Sequence, residues 1–235
     1  MKEWRKMPSD WLTKEDQCPL ADMKWVGENK ADQIAALMLY IIFVHHRNDN
    51  ETTNAQQLGQ CSLTYTYLSD ISGVSRAKIA GGIKILIQLD LITEVGIGRN
   101  NIYEVKNHDV FSGWAKLPAR GLYGKNQKRI SAFQNFHLRV KNELNALKIY
   151  LLVVAFRSND LNNTKISYDK ISTYTGIHRN EIKSAISLLI NLNMLQVDSV
   201  DSDINKYSTA NVYRLCYLEP YKHRGTTTKE LEALS

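Results

Sequence analysis

Cysteine is scarce in this chain, and the three present, Cys18, Cys61 and Cys216, are odd in number and share no C-x-x-C spacing. They support neither a disulfide framework nor a zinc ribbon, so three reduced, mostly buried thiols are expected. Long apolar runs are missing too. The longest candidate, Ile34 to Val44, falls short of the roughly 20 residues that a membrane span needs and reads as a buried helix. The opening MKEWRKMPSDW lacks the apolar core of a signal peptide, and a cytoplasmic protein with no membrane partner is expected. Catalytic motifs are absent as well: there is no H-E-x-x-H and no G-x-S-x-G. Gly121-Leu-Tyr-Gly124-Lys125 has neither the spacing nor the Ser/Thr of a phosphate-binding loop, and no paired-histidine motif of the kind a nicking site requires stands near a tyrosine. No enzyme and no cofactor are expected. His45 and His46 with Cys61 are poor metal ligands, because neighbours on a helix point about 100° apart. A solvated helix end is the expectation there, with no metal.

The 235 residues, 43% hydrophobic and 23% charged, suffice for two compact domains. The net charge of +6 and the pI near 9.1 are unevenly spread. Residues 1–110 carry 12 Lys/Arg and 14 Asp/Glu, whereas residues 111–235 carry 18 and 10. From Lys116 to Lys148 eight bases face one acid, Glu143. Such an arm is either a phosphate contact or a solvated surface.

The chain repeats itself. Trp4-x-Lys6-Met7-Pro8 matches Trp114-x-Lys116-Leu117-Pro118 at an offset of 110, as do Ala36 to Arg47 and Ala146 to Arg157. The offset falls to 103 between residues 62–92 and 165–195, then returns to 110 at Ile102-Tyr103-x-Val105 and Val212-Tyr213-x-Leu215. The differences belong in loops. Each copy reads as an extended arm, a long apolar helix (about 31–46 and 143–157), two shorter helices and a β-hairpin. The division falls into 1–110, 111–220 and a tail, 221–235, that either frays or begins a further domain. The second arm is also placed to dock on the first copy.

The shorter helices carry the clearest local signals. Thr64 or Ser167 stands at an N-cap, followed by Tyr65, Leu68, Ile71 or Tyr168, Ile171, Tyr174 at helical spacing. Gly73-Val74 or Gly176-Ile177 makes a tight turn. A second stripe follows: Ile79, Ile83, Leu86 or Ile182, Ile186, Leu189. Two helices on a glycine turn describe a helix-turn-helix, and the extended runs after them describe a hairpin. The pattern resembles the winged-helix family. The fold class expected is therefore mainly α with small β-hairpins (α+β), as two tandem winged helix-turn-helix domains.

That resemblance implies that the second helix of each pair enters the major groove of double-stranded DNA and the hairpin touches its backbone. Off the buried stripe, Arg76, Lys78, Ala80, Gly81 and Lys84 face outward after the N-cap Ser75. In the second copy the matching set is His178, Arg179, Glu181, Lys183, Ser184 and Ser187. Arg76 and Arg179 are the first candidates for base readout, since arginine pairs bidentately with guanine, while Lys and Ser contact phosphate or single base atoms. Asn180 either joins them or faces the turn. Lys125, Lys128 and Arg129 of the basic arm, with Arg99, Asn100 and Lys206 of the wings, are the backbone candidates. Asp198, Asp201 and Asp203 would repel phosphate from the longer hairpin. Ala80-Gly81-Gly82 leaves the first reading helix nearly bare, open to DNA or to another protein, and the second copy with the basic arm reads as the stronger DNA binder.

The tandem duplication, with the WAKLP arm leading to ELNALKIYLLVVAF, resembles the DNA-binding part of plasmid and phage replication initiators. This implies binding of repeated or palindromic origin sites, with a homodimer and a helicase or other replication protein as further partners. The alternatives are a transcription regulator and a winged-helix adaptor that binds protein.

Overall fold

In the computed structural model, residues 1–15, 18–49, 57–96, 101–109, 113–124, 128–158, 162–201 and 209–218 are described. Among them are seven α-helices and eight strands, the strands in small antiparallel sheets. In chain order they are β1 (Trp4–Pro8), α1 (Asp10–Thr13), α2 (Lys30–His46), β2 (Gln60–Ser62), α3 (Tyr65–Ser72), α4 (Arg76–Gln88), β3 (Ile92–Glu94) and β4 (Ile102–Val105). The order then recurs as β5 (Trp114–Pro118), α5 (Lys141–Phe156), β6 (Thr164–Lys165), α6 (Tyr168–Thr175), α7 (Arg179–Asn191), β7 (Leu195–Asp201) and β8 (Thr209–Leu215). Short 3-10 turns lie at Pro19–Ala21, Arg120–Leu122 and Ala132–Asn135.

Both long helices are apolar around most of their circumference, so each must be enclosed rather than laid on a surface. Every residue from Ile34 to Val44 and from Leu144 to Val154 is buried. Helices α2 and α5 pack on each other, and α4 and α7 cover them from either half. The buried side chains form one continuous apolar cluster.

The repeat is carried into local structure with little change. Thr64 and Ser167 accept hydrogen bonds from the backbone N–H of Tyr67 and Lys170, each 3.1 Å long, the expected N-cap geometry. Gly73 and Gly176 end α3 and α6 at φ of +75° and +67°, a conformation that costs a Cβ-bearing residue but not glycine. The sheet orders are β2-β4-β3 and β6-β8-β7.

The arms relate the two halves. Strands β1 and β5 pair antiparallel, Trp4 opposite Pro118 and Pro8 opposite Trp114, so that Lys6 faces its own repeat counterpart, Lys116. A local two-fold axis therefore passes between the two lysines. It extends beyond the ladder: Ser9 N–H donates to Gly113 O (2.7 Å) and Ala119 N–H to Glu3 O (2.8 Å), with donors and acceptors both 110 positions apart. Two lysines face to face would repel. Each ammonium instead sits over the other strand's indole, Lys6 Nζ 5.2 Å from Trp114 and Lys116 Nζ 5.0 Å from Trp4, whose rings stack 6.1 Å apart. The cation–π attraction offsets the like charge.

Past the ladder each arm crosses to the other half. Helix α1 packs on α5 and the 3-10 turn Pro19–Ala21 on α6, with Tyr174 O–H donating to Thr13 O at 3.4 Å. Reciprocally, Ile130 N–H and Gln134 Nε2 donate to Ile71 O at the end of α3. The second arm thus docks on the first half, and the first arm docks on the second.

His45 is enclosed by this exchange, against the expectation of a solvated helix end. The crossing segment brings Pro118 O to 2.9 Å of Nε2 and Tyr123 Oη to 3.1 Å of Nδ1, while His46 Nε2 also lies 3.1 Å from Tyr123 Oη. A carbonyl can only accept, so Nε2 of His45 carries the proton and Nδ1 accepts from Tyr123 O–H. The tyrosine oxygen then accepts from His46 Nε2–H. Burial pushes His45 down to about 3 and His46 to about 4.

Candidate nucleic-acid interface

Helices α4 and α7 follow the glycine turns with their inner stripes buried: Ile79, Ile83 and Leu86 in one, Ile182, Ile186 and Leu189 in the other. Their outer faces are exposed at matching positions. On α4 that face holds Arg76, Ala77, Ala80, Lys84 and Ile87, and on α7 it holds Arg179, Asn180, Lys183, Ser187 and Ile190, with His178 exposed at the N-cap. Ile87 and Ile190 are 41% and 40% exposed. They were passed over in the sequence, where an aliphatic residue next to the stripe reads as core. The available signal was its recurrence in both copies. On a groove-facing helix such a side chain can meet a thymine methyl.

Both candidate reading arginines lean on the preceding helix. Arg76 donates to Thr66 Oγ1 at 2.6 Å, and Arg179 is paired with Asp169, the residue equivalent to Thr66. The Arg179–Asp169 pair is well exposed, 65% and 73% by side chain. Pairs of this kind hold weakly, and a phosphate or guanine can compete for the guanidinium.

Three positions expected to point outward, Lys78, Gly81 and Glu181, are half-buried against the long helix of their own half, while Ser184 stays exposed. Lys78 is ion-paired with the buried Asp32 of α2 at 2.8 Å, and a Cβ on Gly81 would collide with the same carboxylate. At the equivalent place in the second half the charges are reversed: Lys141 at the start of α5 holds Glu181 at 2.8 Å. Ser184 Oγ lies 2.9 Å from Asn142 Oδ1. The buried stripe is wider than three residues because each of these helices packs on a long helix and a short one at once. Ser187, though exposed, donates to Lys183 O at 2.9 Å.

The glycine pair has the same explanation. Gly82 is buried, and a Cβ there would stand 2.9 Å from the Ala36 backbone nitrogen. The glycines let α4 close on α2 rather than bare it to a ligand. Gly82→Ala is therefore expected to destabilise the protein by about 1–3 kcal/mol through overpacking in urea unfolding. A solvent-facing glycine would instead give a gain of about 1 kcal/mol from helix propensity, and that sign would refute the packing.

The basic arm is not one surface. Lys116 lies over Trp4, Arg120 pairs with Glu3 at 2.8 Å, and Lys141 is taken by Glu181. Lys148 is buried in α5, donating to Thr175 O at 2.9 Å, and desolvation pushes it down to about 8. Lys128, Arg129 and Arg139 remain exposed, on the segment that crosses to α3 of the first half. The arm is therefore shared: Lys128 and Arg129 lie on the segment that reaches α3, while Lys141 pairs with Glu181 of α7. His137, Leu138 and Arg139 line a cavity of about 450 Å³ with Gly73, Val74 and Ser75 at the start of α4. Arg139 thus joins the candidates beside the first reading helix.

Arg99, Asn100, Lys125, Lys206 and Asp203 lie outside the described residues, as does the tail from 219. Asp198 is ion-paired with Arg214 at 2.8 Å, so part of the acidity expected of the longer hairpin is neutralised at its base. Among the described residues no group of three or more His, Cys, Asp or Glu is placed to hold a metal ion, and no helix is long and apolar enough to cross a membrane. No protein-family model matches the chain, and no curated protein matches it significantly.

Proposed function

We propose that this chain binds double-stranded DNA sequence-specifically through two tandem winged-helix modules, and that it serves as the origin-binding replication initiator of a mobile element. The observation that carries the reading is the pair of equivalent helices, α4 and α7, which bury matching stripes and expose residues at five matching positions from Arg76 and Arg179 to Ile87 and Ile190. Support comes from the order helix, strand, helix, glycine turn, helix and hairpin, repeated with the same sheet order. That is the arrangement in which a winged helix lays its second short helix in a major groove. The two-fold relation through Lys6 and Lys116 suits two half-sites on one duplex. The replication role rests on the resemblance of the tandem duplication to initiators, and a transcription regulator is the other reading of the same modules. Gly81 and Gly82 face α2, so the bareness of α4 that favoured a protein adaptor is confined to Ala77 and Ala80.

Sequencing the DNA fragments that the protein retains from its own genome tests the reading. An initiator enriches clustered repeats at one origin, a regulator enriches dispersed promoters, and an adaptor shows no salt-dependent affinity. Arg179→Ala is expected to cost about 1–3 kcal/mol on the selected site and little on unrelated DNA. Equal loss on every sequence would remove it from base readout. Lys128→Ala with Arg129→Ala should weaken both kinds of binding and lower the salt slope by about 2.

A further inference from the structure

Where β1 runs past the end of α2, three cations converge on one carboxylate. Arg5 Nη1 lies 2.6 Å from Asp49 Oδ2, Arg47 Nε 3.1 Å from Oδ1, and Lys2 Nζ 3.9 Å from Oδ2. Arg47 is 3% exposed, and its Nη1 has no hydrogen-bond acceptor among the described residues; Arg5 Nε lacks one as well. Burying a guanidinium N–H without an acceptor is costly, and burial followed by repulsion from Arg5 works against the charge of Arg47. Lys2, Arg47 and Asp49 border a cavity of about 830 Å³, whose wall also includes Glu3, Trp4, Lys6, His108 and Asp109; Arg5 stands behind Asp49, outside that wall. Of the other charges facing it, Glu3 is held by Arg120 and Lys6 lies over Trp114. Asp49 and Asp109 are the remaining acids.

The fold does not require this cluster. At the offset of 110 the second half has Ala115 where Arg5 stands, Ser112 for Lys2 and Asn159 for Asp49, and keeps only Arg157 in place of Arg47. Both copies end their long helix in the same extended C-cap, so the additional cations are particular to the first copy. Arginine forks match the paired oxygens of a phosphoryl group, and the cavity has the size of a small-molecule site.

We infer that the cavity between β1 and the end of α2 is a binding site for a phosphoryl group, held by Arg47 with Lys2 at the rim. The group belongs either to a free phosphorylated small molecule or to a DNA backbone. The test follows thermal unfolding of the whole chain in inorganic phosphate, in adenosine monophosphate, and in chloride at matched ionic strength. A saturable rise in Tm is expected with phosphate or the nucleotide and not with chloride. Asp49→Asn, which removes the competing carboxylate, should tighten the binding about tenfold, and Arg47→Lys, which keeps the charge but loses the fork, should weaken it about tenfold. Lys2→Ala, at an exposed position that endangers folding little, should weaken it less. If neither free probe raises Tm but Lys2→Ala lowers the salt slope of DNA binding by about 1, the phosphoryl group is DNA's. No shift with either probe in the wild type and Asp49→Asn, together with an unchanged salt slope in Lys2→Ala, overturns the site. A chain that binds phosphate but no DNA would overturn the DNA reading and leave this one standing.

Discussion

Cut in the linker between β4 and β5, the chain is expected to yield two fragments that are each unfolded or aggregated alone and that recover native structure only when mixed. The repeat suggests two self-sufficient domains, but the packing crosses between them. Leu12 and Leu20 of the first half lie in elements seated on α5 and α6, while Tyr123 and Ile130 of the second follow β5 onto the first half. All four are buried. At about 1.5–3 kcal/mol for each large apolar side chain, losing all four removes about 6–12 kcal/mol, comparable with the whole stability of an ordinary domain. The β1–β5 ladder and the contact of α2 with α5 are lost as well. Far-ultraviolet circular dichroism and amide exchange of each purified fragment are the measurements. A cooperative unfolding transition in either fragment alone would show that the exchanged arms are an ornament rather than part of the core.

Acid should loosen the protein well above the range in which carboxylates titrate. His45 and His46 are held neutral in the folded chain, down to about 3 and about 4, against an ordinary value of 6.5. Below 6.5 the unfolded chain binds protons that the folded chain refuses, so stability falls as pH drops. It is fully present above about pH 7 and declines down to the folded values, by up to about 1.4 kcal/mol per pH unit for each histidine. By about pH 5 the loss amounts to about 2 kcal/mol from His45, and less from His46, which keeps part of its ring in water. Burial explains the refusal: a charged His45 would be cut off from water, and the neighbouring His46 adds repulsion. Urea unfolding at about pH 7.5 and about pH 5 reads the effect. His45→Gln with His46→Gln should flatten the dependence, and an unchanged slope in that double variant would place the acid sensitivity elsewhere.

The local elements were legible because they depend on short-range rules. Thr64, Ser167, Gly73 and Gly176 stand where the chain starts or turns a helix whatever surrounds it, and apolar spacing locates the buried stripes of α4 and α7. Most of the outward set, Arg76, Lys84, Arg179, Asn180 and Lys183, was legible on the same ground, since residues opposite a stripe face away from it. The flanks of the stripe were not. Lys78 and Gly81 turn inward because of what α2 presents to them, namely Asp32, and that partner lies more than 40 residues away.

By itself the sequence determined that one pattern is written twice, where each copy begins and ends its helices, and that the second copy carries the excess of positive charge. Only the tertiary structure decided that the copies trade arms across a two-fold axis, that His45 is enclosed, and that the bases of the arm are divided between the end of α3 and α7. The reason is physical: caps and turns are settled by neighbours within one helical turn, whereas an antiparallel pairing such as Trp4 with Pro118 joins residues whose separation along the chain no local preference can register.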